Sequence, residues 1–361
     1  MKRVILLLFF GAKLFTVFIL SFIFIKLIIH YAPSLGLIDI PNHRSHHKKI
    51  TPRGAGIGIV FAVICSDLLF LNTAHLSHPW VLIGIFIIFA VGILDDHRDT
   101  SPNAKFLVIF IAVVFFYVDG TYIKHLGHVF GYSIPLGWFA FPFTLIAIAG
   151  FTNALNLSDG LDGLATSLSI IILSALCFIG YEHNDSFMVS LSLSFISALV
   201  AFLWFNWNPA KIFMGDSGSL TLGVIISIVS IRALDYVEPI TILFIAALPI
   251  IDTLIVMIRR KRNGRSMFSP DKTHLHHLVL QFFKGNVRMT VILLTLGQLF
   301  YSFMGLTFIE NGIKQRYILL MFILLLVISY ILLNGMLERQ TKPFTYHRKK
   351  RNKKRSILSQ K

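Results

Sequence analysis

The chain has 361 residues, 55% of them hydrophobic and 34 of them Phe, and its mean hydropathy is +0.75. This composition predicts a polytopic integral membrane protein rather than a soluble domain. A net charge of +16 would suggest nucleic acid in a soluble protein, but here the charges lie in loops, so a nucleic-acid partner is excluded. Cys65 and Cys177 both lie in apolar runs, which excludes a disulfide framework and a cysteine-based zinc site.

The apolar runs predict an all-α fold with about eleven transmembrane helices. Several runs are near the lower limit for spanning a hydrocarbon core of ~30 Å. The runs cover residues 4–30, 55–73, 79–94, 104–118, 135–154, 163–181, 187–205, 217–234, 239–258, 290–309 and 317–337. We therefore divide the chain into a transmembrane domain, residues 1–337, and a polybasic tail, residues 338–361.

Threading these runs alternately across a bilayer places most of the 33 Lys and Arg residues on one side. The positive-inside rule makes that side cytoplasmic, with the N-terminus outside and the C-terminus in the cytoplasm. Lys2 and Arg3 oppose this orientation locally, but the imbalance downstream is much larger. The tail is predicted to be a disordered basic strand, either lying on anionic lipid or simply solvated.

The polar motifs all fall in the predicted cytoplasmic loops. In the segment 153–163, Asn153 and Asn156 are three residues apart, as are Asp159 and Asp162, so each pair shares one face of a helical turn. Two carboxylates and two carboxamides between membrane spans predict a functional site rather than packing.

A second acidic motif, Asp95-Asp96 with Asp99, ends the run at 79–94, and Lys105 begins the next helix. Clustered carboxylates repel one another unless a cation or a proton lies among them. They also oppose the dipole of a helix C-terminus, so a role with Mg²⁺ or phosphate is favoured over that of solvated loop acids.

Two further motifs have the chemistry of phosphate binding. Asp216, in Gly-Asp-Ser-Gly at the start of a helix, suits a phosphate or a metal-bound oxygen, although Asp216, Ser217 and Ser219 would also serve as helix N-caps. Another candidate set is the histidine motif in the basic loop at 259–289. Its histidines favour diphosphate over zinc, because basic residues surround them and no ligand of another type lies at a usual spacing.

The basic loop at 39–53 is followed by Gly54-Ala-Gly56-Ile-Gly58. A dinucleotide-binding loop would need a preceding strand and a soluble βαβ unit, so close packing of helices explains these glycines better. The basic residues of the loop fit either positive-inside charge or a site for phosphate.

In this order, the motifs resemble those of the polyprenyl-phosphate N-acetylhexosamine-1-phosphate transferases (glycosyltransferase family 4), the membrane family that starts bacterial cell-wall and O-antigen glycans. The resemblance covers about residues 41–277. It depends on Asp95-Asp96, Asn153-X-X-Asn156-X-X-Asp159-Gly-Leu-Asp162-Gly, Phe213-Met-Gly-Asp216-X-Gly-Ser219 and Pro270-Asp-Lys-Thr-His-Leu-His-His277. The His-Leu-His-His form is similar to the branch that moves GlcNAc-1-phosphate.

The resemblance implies transfer of N-acetylhexosamine-1-phosphate from a UDP-sugar to undecaprenyl phosphate, with release of UMP, at the bacterial cytoplasmic membrane. It implies Mg²⁺, with Mn²⁺ as an alternative, and membrane lipid and a second copy of the chain as further partners. By carry-over, Asn156 and Asp216 match magnesium-binding positions, and Asp95, Asp96 and Asp216 are the catalytic set. The implied substrate-binding residues are Arg53, Lys105, Asn153, Asp159, Asp162, Arg265, His274, His276 and His277. Asp99 departs from the pentapeptide branch, which carries Lys there.

Two other classes of membrane protein also combine many spans with polar loops. A secondary transporter binds its substrate near the membrane midplane, at broken helices in repeated halves, whereas these polar groups lie at one face. A non-catalytic scaffold or lipid receptor would not need three separate acidic loops.

Overall fold

A computed structural model describes residues 2–41, 49–71, 73–98, 100–129, 132–266 and 273–358. Asp99, residues 42–48 of the basic loop and the start of the histidine motif lie outside these residues. The described chain forms α-helices α1 to α14, at Lys2–Leu35, Ala55–Leu69, Thr73–Leu76, Pro79–His97, Pro102–Val118, Ala140–Ser158, Leu164–Glu182, Ser186–Asn206, Asp216–Ala233, Pro239–Ile245, Ala247–Arg262, Leu275–Phe282, Val287–Glu310 and Gln315–Leu358.

The protein is a polytopic, helical membrane protein. In the described residues, eight helices are long and apolar enough to cross a bilayer, and α10 and α11 add a ninth if the pair counts as one span. The run at 239–258, predicted as one helix, is broken at Ala246 with a bend of 93°. Two further apolar helices, α2 and α5, have 15 and 17 residues, which is short for a span.

Two short antiparallel ribbons, which the sequence did not predict, accompany the helices. Strands β1 (Ile38–Asp39) and β2 (Thr51–Pro52) close the basic loop at its base, and Arg53 N–H donates to the Leu37 carbonyl at 2.9 Å. Strands β3 (His125–Val129) and β4 (Tyr132–Pro135) form the other ribbon. The tail, expected to be a disordered strand, continues α14 as helix to Leu358.

Helix α9 is the centre of the bundle. It packs against α2, α4, α6, α7 and α8, and 83% of it is buried. Its N-terminus, at Asp216, lies beside the C-terminal ends of α4 and α6, and we call this the site end of the bundle; the opposite end is the far end.

Glycines allow the neighbouring helices to approach α9 closely. A Cβ atom on Gly56 of α2 would lie 2.1 Å from the backbone nitrogen of Gly218, and one on Gly92 of α4 would lie 2.6 Å from Ser217 Cα. Backbone therefore meets backbone at both crossings, which confirms the predicted packing role of Gly56.

Gly56→Ala should destabilise the fold, because the added methyl group meets backbone atoms that cannot rotate away. Overpacking of this kind costs roughly 1–3 kcal/mol or more, a fall in Tm of several degrees. Thermal unfolding of the purified protein in detergent measures this shift. Gly11→Ala on α1, where nothing lies within 4 Å of the new Cβ atom, is the matched control and should leave Tm unchanged. Equal Tm values for the two variants would contradict the close crossing.

A network of charged side chains holds the far end of α9. Arg232 donates from Nε to Asp185 at 2.5 Å, and its Nη1 lies 3.1 Å from His78 Nε2. His78 Nδ1 in turn lies 2.9 Å from Asp119 Oδ2. These contacts join the end of α9 to the first residue before α8, the start of α4 and the end of α5.

Candidate active site

A cavity of about 800 Å³ opens at the site end of the bundle. Residues from all five predicted polar segments line it, within 39–53, 95–105, 156–162, 206–216 and 277–287. These segments are distant in sequence, so the helices that carry them bring the polar groups together.

Lys105 lies between two carboxylates in this cavity. Its Nζ is 2.6 Å from Asp95 Oδ2 and is also hydrogen-bonded to Asp216 Oδ2. Asp95 is fixed on its other oxygen by Thr100, whose N–H and Oγ1 donate at 2.6 and 2.5 Å. One ammonium group thus offsets part of the repulsion between the two acids.

Asp96, the neighbour of Asp95, also lines the cavity, but its carboxylate binds the start of α9. It is 2% exposed, and its carboxylate accepts the backbone N–H groups of Asp216 at 2.7 Å and Ser217 at 3.1 Å. These N–H groups have no partner inside α9, so a side chain from α4 caps α9. The N-cap residue itself is Gly215, with φ 77°, where a Cβ atom would lie 2.6 Å from the Asp96 oxygens.

Asn156, on the last turns of α6, completes this group. Its Nδ2 donates to Asp216 Oδ1 at 3.0 Å and to Ser219 Oγ at 2.7 Å. Asp216 therefore contacts α5 through Lys105 and α6 through Asn156. It is the first residue of α9, and its side chain is 27% exposed to the cavity.

Asp159 and Asp162, both in the loop between α6 and α7, line the cavity in different ways. Asp162 Oδ2 accepts Asn208 Nδ2 at 2.8 Å and the Ala210 N–H at 3.0 Å, so it holds the loop before α9 in place. Burial, and to a smaller extent three nearby carboxylates, raises the pKa of Asp159 well above its usual value.

Arg53 and His277 supply positive or donor groups to the cavity lining. Arg53 lines the cavity, and its Nε is buried and has no hydrogen-bond partner among the described residues. His277 is half-buried at the start of α12, beside the segment that holds Asp159.

His274 and His276, predicted to bind phosphate, are each 3% exposed and lie outside the lining. His276 packs on Gly160, where a Cβ atom would lie 2.6 Å from His276 Nε2. His274 instead contacts Asp252 of α11, with 3.0 Å between Nδ1 and Oδ2. Both histidines are thus buried in the packing of α12, and their predicted contact with phosphate stays a prediction.

Asn153 and Arg265 are exposed and, in the described part of the chain, do not border the cavity. Asn153 lies three residues before Asn156 on α6, roughly 4.5 Å farther from the site end along the helix axis. Arg265 follows the end of α11, where its N–H donates to the Arg260 carbonyl at 2.9 Å. The structure thus does not bring these two predicted residues to the site.

Two contributors were missed by the reasoning from sequence. Thr100 carries no motif, and its contact with Asp95 depends on the turn between α4 and α5. Asp252 did carry a signal, since a lone acid within an apolar run marks a functional position by default. The apolar character of the run at 239–258 predicts only a membrane span, and Asp252 is not among the predicted site residues.

The carboxylates of this cavity can bind a divalent cation, and its basic groups can bind phosphate. This combination is typical of an enzyme that transfers a phosphoryl group, and here it lies in a bundle of membrane helices. A family model described as glycosyl transferase family 4 matches residues 78–234. The chain is 35% identical over 329 residues to a probable undecaprenyl-phosphate N-acetylglucosaminyl 1-phosphate transferase of Bacillus subtilis (strain 168), covering 87% of this chain and 89% of the relative.

The chain is also similar to proteins named undecaprenyl-phosphate alpha-N-acetylglucosaminyl 1-phosphate transferase. The one from Yersinia pestis is 31% identical, with 87% of this chain and 90% of the relative covered. The one from Escherichia coli (strain K12) is 28% identical, with 89% of each chain covered. The chain therefore belongs to glycosyl transferase family 4 and is a polyprenyl-phosphate sugar-1-phosphate transferase. This confirms the resemblance found in the motifs and excludes the transporter and scaffold alternatives.

Proposed function

We propose that the protein transfers GlcNAc-1-phosphate from UDP-GlcNAc to undecaprenyl phosphate, releasing UMP, as the first membrane step of a cell-surface polysaccharide of the O-antigen, common-antigen or teichoic acid type. The observation that carries this proposal is the group formed by Asp95, Lys105 and Asp216 in a polar cavity. The printed names of the relatives support GlcNAc as the sugar and undecaprenyl phosphate as the acceptor.

In this reaction an oxygen of the lipid phosphate attacks the sugar-bearing phosphorus of UDP-GlcNAc. A bond forms between that oxygen and the sugar-bearing phosphorus. The bond from this phosphorus to the oxygen that bridges the two phosphates breaks, and UMP leaves with the bridging oxygen. Both reactants are anionic, so neutralising their charge dominates the barrier. Lys105, Arg53 and His277 are among the cavity groups that can bind and orient the phosphates.

Asp216 and Asn156 would hold Mg²⁺, or Mn²⁺ in its place. Within the described residues no three His, Cys, Asp or Glu side chains converge as ligands. This incomplete set fits Mg²⁺, which usually keeps several waters and takes the rest of its ligands from substrate phosphates. When bound, the metal supplies positive charge to the phosphate oxygens. Asp95, held by Thr100 and Lys105, orients the lipid phosphate or accepts its proton.

We further propose the topology predicted from charge, with eleven spans, the N-terminus outside, and the cavity and the tail at 338–361 in the cytoplasm. In its support, each apolar run coincides with a helix or with the bent pair α10–α11, and the short helices α2 and α5 both pack against longer helices of the bundle. Undecaprenyl phosphate would then enter from the bilayer and the UDP-sugar from the cytosol.

The donor is tested by supplying the purified protein with Mg²⁺, undecaprenyl phosphate and a panel of UDP-N-acetyl sugars, and measuring UMP. We expect UMP with UDP-GlcNAc and only slow release with UDP-GalNAc. Release of UMP with another UDP-N-acetyl sugar alone would overturn the assignment of the sugar while leaving the chemistry intact. The absence of UMP with every donor would overturn the proposed reaction.

His277→Ala should lower kcat/KM for UDP-GlcNAc by at least ~10²-fold, the scale of losing a positioned donor to developing charge. Measurement against UDP-GlcNAc and UDP-GalNAc separates two roles, since an equal loss on both sugars assigns His277 to the phosphates. His30→Ala is the matched control, because His30 is exposed on α1 and outside the cavity lining. Normal rates for His277→Ala would remove this residue from the site.

A further inference from the structure

Asp252 is an acid buried within α11, with 4% of its surface exposed. Both of its oxygens are engaged by the start of α12. Oδ1 accepts the Leu275 N–H at 2.7 Å, and Oδ2 lies 3.0 Å from His274 Nδ1. A buried carboxylate is costly unless it is hydrogen-bonded. The hydrogen bonds from the start of α12 therefore offset the free-energy cost of burying Asp252 in α11.

Arg259 extends this contact along the same helix. It lies seven residues after Asp252, two turns along one face of α11, and its Nη2 donates to the Thr273 carbonyl at 2.6 Å and to Thr273 Oγ1. Arg259 and Arg260 are only 8% and 7% exposed, so both are packed against the protein and are not solvated surface charges. Helix α11 thus binds three consecutive residues, 273–275, through one acid and one base.

The contact with Asp252 also selects the tautomer of a neutral His274. An ionised carboxylate only accepts, so the proton of a neutral His274 lies on Nδ1. The other ring nitrogen, Nε2, is buried and has no hydrogen-bond partner among the described residues. The His274 ring lies nearly parallel to that of His276, at 15° and 5.9 Å between centroids.

Beyond His276, this arrangement reaches the cavity. The His276 ring packs on Gly160 beside Asp159, and its centroid is 4.1 Å from that of His277, which lines the cavity. The position of His277 therefore depends on how the first turn of α12 is held, and a misplacement of ~1 Å at a reacting site costs on the order of 10²-fold in rate.

We propose that Asp252 is a positioning residue of the transferase, which fixes His274 and the first turn of α12 so that His276 packs on Gly160 and His277 faces the cavity. Asp252 itself does not border the cavity in the described part of the chain, so it acts through His274. This inference depends on the proposed role of His277, but the contact it describes is independent of which sugar is transferred.

The test is Asp252→Asn in the full-length protein. The carboxamide oxygen still accepts the Leu275 N–H, but the amide nitrogen then faces His274 Nδ1 and moves the histidine proton to Nε2. We expect kcat/KM for the UDP-sugar to fall ~10²-fold, with KM for undecaprenyl phosphate and Tm nearly unchanged. Asp235→Asn makes the same change at an acid whose side chain is 55% exposed at the far end, and should leave all three values unchanged.

A double-substitution cycle separates positioning from general damage. If Asp252 acts through His274, adding Asp252→Asn to His274→Ala should change little. The kcat/KM of the double variant should stay within about threefold of that of His274→Ala alone. Effects that multiply would overturn the proposal, as would an Asp252→Asn rate within threefold of the unmodified protein. If the protein uses a different UDP-sugar, the same ratios are measured with that donor, so a wrong sugar does not count against Asp252.

The state of His274 provides a measurement that needs no active variant. In ¹⁵N-histidine-labelled protein at a pH where the ring is neutral, the His274 signals, identified by their loss in His274→Ala, should show the proton on Nδ1. A proton on Nε2 would overturn the proposal even if Asp252→Asn failed to fold.

Discussion

Asp216→Ala should reduce turnover by more than about 10³-fold while the protein remains folded. The substitution removes the carboxylate that contacts both Lys105 and Asn156, and with it the proposed charged ligand for Mg²⁺. Phosphate and water cannot replace an oxygen fixed at the start of α9. A smaller effect is expected on stability, because Asp96 caps α9 through the backbone N–H of residue 216, which Ala retains.

Release of UMP, measured over a titration of Mg²⁺, tests this expectation. The variant should also lose most of its dependence on Mg²⁺, whereas Asp235→Ala at the far end should behave like the unmodified protein. Turnover of folded Asp216→Ala within about tenfold of normal, or 1.4 kcal/mol, would refute the metal assignment.

Asp96→Ala should impair both stability and turnover, which distinguishes it from Asp216→Ala. Removing the carboxylate leaves the N–H groups of Asp216 and Ser217 buried without an acceptor. Each such group costs about 1–3 kcal/mol, and the start of α9 would shift to recover hydrogen bonds. Because Asp216 moves with that turn, we expect turnover to fall by ~10²-fold or more.

Thermal unfolding and UMP release should be measured together for Asp96→Ala and Asp96→Asn. The Asn variant keeps one acceptor oxygen but turns an amide N–H₂ group toward the other backbone donor, so intermediate values are expected. An Asp96→Ala protein with normal Tm and no turnover would instead indicate that Asp96 contacts substrate, as the family resemblance implied for it.

Much of the fold could be predicted because apolar content is a local property of the sequence. Each predicted run forms a helix or, at 239–258, a bent pair of helices. The convergence of the five polar segments was also predictable, because alternate threading places them on one side of the membrane. The glycines at 54–58 indicated close packing, and Gly56 indeed meets Gly218.

The particular partners of each polar residue could not be predicted, because they depend on tertiary contacts between distant segments. The sequence context of Asp96 shows two adjacent acids, Asp95 and Asp96, and does not distinguish between them. Asp96 caps α9, which begins 120 residues later in the chain. The predicted caps Ser217 and Ser219 are not needed for this reason. His274 and His276 share a motif with His277, but the short helix α12 turns only the last of them to the cavity.

Helix α9 is fastened at both ends, by Asp96 at Asp216 and by Asp185 and His78 at Arg232. Its 18 residues span roughly 27 Å between these attachments, and its sides meet backbone at Gly56 and Gly92. A helix held in this way cannot slide or tilt as a unit during the reaction cycle. Asp216, as the first residue of this helix, therefore stays at a fixed position, and any movement that the reaction requires falls to the elements around α9.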